Sequence, residues 1–254
     1  MTQSMSEPLV TPSILSRGAR LAALWRRSGF RHLRLASLRP PFSIAIRGNR
    51  ASLLCDGGAS AKTCYREVVV EDCYRIFRLP RSFQPEQIVD IGANIGTFSK
   101  LCTVIFPTAR IHAYEPDPGA FAWLEKNAAG TRIAAHPSAV AKVDGTVAFD
   151  PGPDSGLGRV DASGVLSVPA VGAARVGESG PIDLLKLDCE GGEWAILETP
   201  ELLLRTRRLC LEYHLTDDHN LAELENRLAA GGHEITWLDD QPQTRSGHLA
   251  SIRR

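Results

Sequence analysis

From residue 86 onward, short apolar runs alternate with longer segments of helical period. Residues 88–91 form an apolar run closed by Gly92, and a helix pattern follows through about Phe106. Residues 110–114 predict a second strand, 117–128 a helix opened by Asp117, and 133–136 a third strand. Residues 140–180 are rich in Gly, Asp and Ser, with two weak strand signals near 145–149 and 164–171. A fourth strand is expected over 182–187, with a helix starting over 191–197. A fifth follows over 209–213, then a helix over 217–230 ended by Gly231-Gly232, and closing strands over 233–238 and 248–253. Strands alternating with helices of this length predict an α/β fold, a doubly wound and mostly parallel sheet covered on both faces.

Residues 1–80 read differently. Ile14, Leu21 and Trp25 share one helical face, with Leu15 and Ala22 beside it, while Arg20, Arg26, Arg27 and Arg31 lie opposite. This is a basic amphipathic helix, stopped by Arg39-Pro40-Pro41. Residues 42–47 and 51–55 predict a hairpin around Gly48-Asn49, and 67–75 a strand or short helix. The expected division is a basic, partly helical extension (1–40), a cap with short strands (41–80) and the main domain (81–254).

Charge sharpens this picture. The chain has 254 residues, 29 Lys+Arg and 29 Asp+Glu, and no formal net charge. A nucleic-acid partner, which would call for a basic excess, is therefore not expected. Residues 1–40 hold seven arginines against the single acid Glu7, so the rest of the chain carries the balancing negative charge. Peripheral contact between the basic helix and a membrane surface fits that pattern. No run of about 18 apolar residues predicts a membrane span, and the early arginines without an apolar core argue against a secretory signal. The six cysteines form no C-x-x-C pair, so a reduced, cytoplasmic protein is expected.

The most informative segment is Asp90-Ile-Gly92-Ala-Asn94-Ile-Gly96. A strand ends in an acid, and two glycines open a helix whose N–H groups face a ligand. The dinucleotide pattern G-x-G-x-x-G fails, because Asn94 and Thr97 stand where its glycines belong. No P-loop run is present either. The segment resembles the first motif of class I S-adenosylmethionine-dependent methyltransferases. An acid suits the ammonium of that cofactor and would repel a pyrophosphate. Glu115 closes the second strand, one helix on from Gly96, where a carboxylate accepts ribose hydroxyls. Ser138 and Ala139, in the loop after the third strand, are expected to border the adenine.

The fourth strand ends in Asp188, with Glu190 and Glu193 close behind. Crowded carboxylates at the C-terminal sheet edge call for a partner: a metal, a base or the cofactor's cation. Taken in order, Val89-Asp-Ile-Gly-Ala-Asn-Ile-Gly-Thr-Phe, Tyr114-Glu-Pro-Asp-Pro118 and Asp183-Leu-Leu-Lys-Leu-Asp-Cys-Glu-Gly-Gly-Glu193 resemble the FkbM-type methyltransferase family, over roughly residues 67–215. Tyr74 sits where that family often has a tyrosine. The resemblance implies a class I methyltransferase (Rossmann-like) fold with a seven-stranded sheet, in the order 3-2-1-4-5-7-6. It also implies O-methylation of a hydroxyl, often on a sugar or polyketide-type metabolite.

The expected cofactor is S-adenosylmethionine, held by Asp90, Gly92, Asn94, Gly96, Glu115, Ser138, Ala139 and Asp188. In a strand, Glu212 and His214 point the same way. His214, as a neutral imidazole, is the expected general base, with Glu212 or Glu193 orienting it or the substrate hydroxyl and Asp188 reaching the same pocket. A rival reading has Asp188, Glu190 and Glu193 hold Mg²⁺ or Ca²⁺; it is not favoured. The acceptor is expected to be a hydroxyl of a small molecule or glycan. The alternatives are a catalytically inactive cofactor-binding scaffold and a methyltransferase acting on protein. Neither the acceptor's identity nor the oligomeric state is written in the residues.

Overall fold

The computed structural model describes residues 39–46, 48–152, 158–161 and 163–254. The expected basic helix over 14–31 lies outside these residues. Phe42–Ile46 (β1) and Asn49–Leu53 (β2) form the expected antiparallel hairpin. Phe42, Ile44 and Ile46 alternate into the core at the strand period of two. Ala59–Tyr65 (α1) runs directly into a π-helical turn, Arg66–Glu71. The alternative left open for 67–75 resolves as helix over most of its length. Val68, Val69 and Val70 are all buried in succession, which a half-buried strand does not allow. Their β-branched side chains disfavour helix, so tertiary burial outweighs local propensity here. α1 itself has no counterpart in the sequence reading, because Ala59-Ser-Ala-Lys-Thr shows no apolar stripe.

The central elements follow the expected alternation: Gln87–Ile91 (β3), Thr97–Ile105 (α2), Arg110–Tyr114 (β4), Pro118–Ala128 (α3) and Ile133–His136 (β5). Asp117 caps α3 by accepting from the Ala120 N–H at 2.7 Å. Next come Ala139–Ala141 (β6), Gly145–Asp150 (β7), Arg159–Val160 (β8) and Leu166–Gly172 (β9). β7 and β9 are the two strands expected near 145–149 and 164–171, and with β6 and β8 they build a separate sheet in the order β6-β9-β7-β8. β6 and β8 are too short to leave a periodicity, and pairing with β7 and β9 creates them.

The chain then forms Leu184–Leu187 (β10), Glu193–Leu197 (α4), Pro200–Arg205 (α5), Arg208–His214 (β11), Leu221–Ala230 (α6), His233–Gln241 (β12) and Ser246–Arg253 (β13). α6 starts at Leu221, one turn later than expected. Asn220, whose side chain accepts from the Glu223 N–H at 3.0 Å, is its cap.

The main sheet has the order β12-β13-β11-β10-β3-β4-β5, the order implied by the resemblance. β11, β10, β3, β4 and β5 are parallel, and β13 is antiparallel to both neighbours. The chain steps outward from β3 to β5 and returns to β10 on the other side of β3. The topological switch point therefore lies between the C-terminal ends of β3 and β10, where open sheets bind ligands. The hairpin and the α1 segment share one hydrophobic core with β3, α2 and β4. Among the described residues, no helix is long and apolar enough to cross a membrane.

One buried side chain ties the cap to this edge. Asn127 of α3 is fully buried. Its Nδ2 donates to the Leu54 and Ile95 carbonyls at 2.9 and 2.8 Å, and its Oδ1 accepts from the Leu54 N–H at 2.7 Å. Asn127→Ala leaves three backbone groups unpaired, and each buried orphan costs about 1–3 kcal/mol. The variant should lose about 3 kcal/mol in urea unfolding, one such cost for each group at the low end of that range. A loss below about 0.5 kcal/mol, the size of an ordinary surface substitution, would mean that water replaces the amide.

Candidate active site

The turn after β3 is built from left-handed residues: Gly92 at φ 73°, Asn94 at 51° and Gly96 at 86°. A Cβ on Gly92 would lie 1.6 Å from the Asp188 carbonyl oxygen, so only glycine lets the ends of β3 and β10 pack this closely. Asn tolerates the left-handed region, and the Asn94 Oδ1 accepts from the Ile95 N–H at 2.7 Å. This turn forms the floor of a cavity of about 180 Å³.

One half of the cavity is lined by Gly92, Asn94, Glu115, Ser138 and Ala139, all expected there from sequence. Glu115 is 6% exposed. Its Oε2 accepts from the Asn94 N–H at 2.7 Å and its Oε1 from the Asp117 N–H at 2.8 Å. Burial pushes its carboxyl up to about 7, against the pull of those two donors. Each oxygen keeps a further lone pair, so the side chain is oriented but not saturated.

The other half is acidic: Asp188, Glu190 and Glu212 line it, with Tyr74 and Lys186. Lys186 is the residue that sequence reasoning missed. Its signal was a single charge in Leu184-Leu-Lys-Leu187, a strand buried at every position. Register places it opposite Asp90 of β3. Its Nζ lies 3.3 Å from Asp90 Oδ1, 3.3 Å from Asp188 Oδ2 and 3.3 Å from the Ile91 carbonyl, and it also donates to the Gly92 carbonyl. Burial alone would push Lys186 down, but the two carboxylates outweigh it and hold the ammonium charged. Burial would likewise push Asp188 up. Lys186 and the Tyr74 hydroxyl, which donates to Asp188 Oδ2 at 2.7 Å, hold it below the usual carboxylate range instead.

Four expected site residues do not line the cavity. Asp90 is fully buried, and its Oδ2 accepts from Ser99 Oγ of α2 at 2.7 Å. It stands beneath the turn and reaches the cavity through Lys186. Gly96 packs against Leu124 of α3. Glu193 is 1% exposed, and its Oε1 accepts from the Cys189 and Gly191 N–H groups at 3.1 Å each. It fastens the acidic turn to the start of α4. His214 sits behind Glu190, with Nε2 3.5 Å from Glu190 Oε2 and Nδ1 3.4 Å from Glu193 Oε1. Glu193 above all, then Glu190, pushes it up to about 9. Both ring nitrogens face carboxylates, which favour the imidazolium, a form with no free lone pair to offer a substrate hydroxyl.

The three carboxylates of the rival metal reading face other partners. Asp188 turns to Lys186 and Tyr74, Glu193 to its own backbone, and Glu190 to His214. Among the described residues no group of three or more metal-ligating side chains occurs. The carboxylates' partners are a lysine, a tyrosine and a histidine.

Glu190 also carries backbone strain. It adopts φ 51°, beside Gly191 at 95°. A non-glycine residue held left-handed costs roughly 1–3 kcal/mol, and this one lies on the cavity wall.

Comparison with known proteins gives this geometry a context. "Methyltransferase sdnD" of Sordaria araneosa is 37% identical over 84 residues, 33% of this chain and 31% of that protein. "31-O-demethyl-FK506 methyltransferase FkbM" of Streptomyces tacrolimicus is 36% identical over 87 residues, 34% of this chain and 33% of that protein. The matched segments thus span about a third of these relatives' own length. Among solved structures, magnesium protoporphyrin IX methyltransferase of Synechocystis PCC 6803 with bound S-adenosylmethionine superposes with a TM-score of 0.50 at 13% identity. That match covers 77% of this chain and 82% of the other, and it is a likeness of fold. Residues 90–235 match the methyltransferase FkbM domain as one continuous stretch, from the acid at the end of β3 to the start of β12. The chain belongs to the FkbM methyltransferase domain family.

Proposed function

We propose that this methyltransferase binds S-adenosylmethionine in the cavity at the switch point and methylates a hydroxyl of a small molecule or glycan. The observation that carries the reading is Glu115: a buried carboxylate, oriented by two backbone N–H groups and half-satisfied, on the cavity wall beside the glycine turn. Two free lone pairs on one carboxylate suit a vicinal diol such as a ribose. Gly92 and Asn94 offer backbone at close approach, and Ser138 and Ala139 complete that wall. When bound, the cofactor supplies an already activated methyl group. The chain's own part is then to position the acceptor, exclude water and accept a proton.

Oxygen as the acceptor atom is supported by the acidic half of the cavity, whose carboxylates accept hydrogen bonds from hydroxyls. The name of the Streptomyces relative, a 31-O-demethyl-FK506 methyltransferase, points the same way. No divalent ion enters the proposal, because the carboxylates are already partnered.

The test is a pair of assays on purified protein. Formation of S-adenosylhomocysteine from S-adenosylmethionine is followed over a panel of sugars, polyols and polyketide-type alcohols, with excess chelator present. Turnover on at least one hydroxylated compound, undiminished by chelator, is expected. Glu115→Gln should weaken S-adenosylhomocysteine binding roughly 10- to 100-fold, since hydrogen bonds to a charged group contribute about 1.5–3 kcal/mol. Unchanged affinity in that variant would place the ribose elsewhere.

A further inference from the structure

We propose that Glu190 is the group that takes the acceptor's proton, and that His214 and Glu193 are positioning residues that aim its carboxylate. This inference rests on the methyltransferase reading above.

Three observations converge on Glu190. Glu190 lines the acidic half of the cavity, while His214 and Glu193 do not. The other cavity carboxylates there are occupied: Asp188 by Lys186 and Tyr74, Glu212 by His248, whose Nε2 lies 3.2 Å away, and Glu67 by Arg66, which donates to it at 2.7 Å. Glu190's charged partner is His214, at 3.5 Å, which is not among the residues lining the cavity. Finally, the backbone is held left-handed at Glu190, as reactive positions often are.

The fixing of His214 completes the device. Its backbone carbonyl accepts from Trp194 Nε1 at 2.7 Å, and its ring stands between Glu190 and buried Glu193. Glu193 in turn is locked by two backbone N–H groups. The order Glu190, His214, Glu193 thus runs from the cavity wall to a buried carboxylate, each in ion-pair range of the next.

The charge balance supports the assignment. Asp188, Glu193 and Glu212 face Glu190 as negative groups and His214 as a positive one. Burial, then Asp188, pushes Glu190 up to about 7 and His214 pulls it back. In the step, the acceptor's O–H bond breaks and its proton passes to a Glu190 oxygen. The oxygen's electron pair forms the new O–C bond while the methyl's bond to the donor sulfur breaks toward sulfur. Glu190, left as a neutral acid, returns its proton to solvent.

Two measurements test this. In protein labelled with ¹⁵N-histidine, the His214 ring signal should show an inflection near pH 7 as Glu190 titrates, besides its own titration near 9. Glu190→Gln should abolish the first inflection. Absence of that inflection in the wild type overturns the proposal. With the hydroxylated acceptor that the panel identifies, Glu190→Gln should lower kcat about 10²–10⁴-fold, with S-adenosylhomocysteine affinity within about twofold. Near-normal turnover also overturns it.

For the wild type, kcat/KM should rise with pH through about 7, because the carboxylate must be ionised. His214→Gln removes the cation that favours ionisation, so this limb should move to higher pH. A merely structural role for His214 would lower activity without moving the limb. Failure of the wild type to bind S-adenosylhomocysteine would instead defeat the cofactor reading, and leaves the histidine titration to decide the Glu190–His214 pair.

Discussion

Lys186→Met is expected to destabilise the protein by about 3–5 kcal/mol, the usual cost of removing one partner from a buried ion pair. At roughly 2–4 °C per kcal/mol for a chain of this size, melting should fall by about 6–20 °C. The reason lies at the joint of the sheet. Lys186 is 3% exposed and Asp90 is fully buried, and Lys186 is the ammonium within 3.3 Å of both Asp90 and Asp188. Methionine fills the volume but leaves two carboxylates uncompensated and the Gly92 carbonyl without this donor, while the Ile91 carbonyl keeps the Asp188 N–H. Adding Asp90→Asn should recover part of the loss, so that the double variant is less destabilised than the two single losses summed. The check is urea unfolding of all three variants. A loss under about 1 kcal/mol for Lys186→Met, the scale of a solvent-exposed ion pair, would mean that water reaches the cluster.

Gly92→Ala carries the second large effect. The added carbon would sit 1.6 Å from the Asp188 carbonyl oxygen, against backbone that has no rotamer to give. The φ of 73° adds strain of its own. Relief requires the ends of β3 and β10 to part, and a displacement of about 1 Å at such a site costs on the order of 100-fold in function. S-adenosylhomocysteine binding should fall by roughly that factor. Gly191→Ala is the control. Its φ is also positive, at 95°, but nothing lies within 4 Å of the added carbon, so it should cost only about 1–2 kcal/mol of stability. Equal effects of the two substitutions on binding would contradict the close-approach account.

What can be read from the sequence follows the range of each interaction. β3, β4 and β5 with their helices announce themselves, because one apolar period switches to another at Gly92 and again at Asp117. Glu115 and the glycine turn are legible for the same reason: strand ends and helix starts are local events. β6 and β8 are not, because they have three and two residues and exist only through pairing with β7 and β9. Lys186 needs register, which sets it opposite Asp90 on a strand far away in the chain. Strand alternation is enough to find His214. Its charge state is not local, because Glu193, some twenty residues earlier at the start of α4, faces the ring and raises it. Asp90 shows the same limit from the other side. Its place in the motif is local, but its role passes through Ser99 and Lys186.

The most direct measurement is calorimetric titration of the purified protein, freed of co-purified ligand, with S-adenosylhomocysteine and separately with NAD⁺. The expected result is micromolar S-adenosylhomocysteine binding, about −8 kcal/mol, weakened by Glu115→Gln, with no heat from NAD⁺. A folded sample that binds NAD⁺, or that fails to bind S-adenosylhomocysteine, would contradict the account.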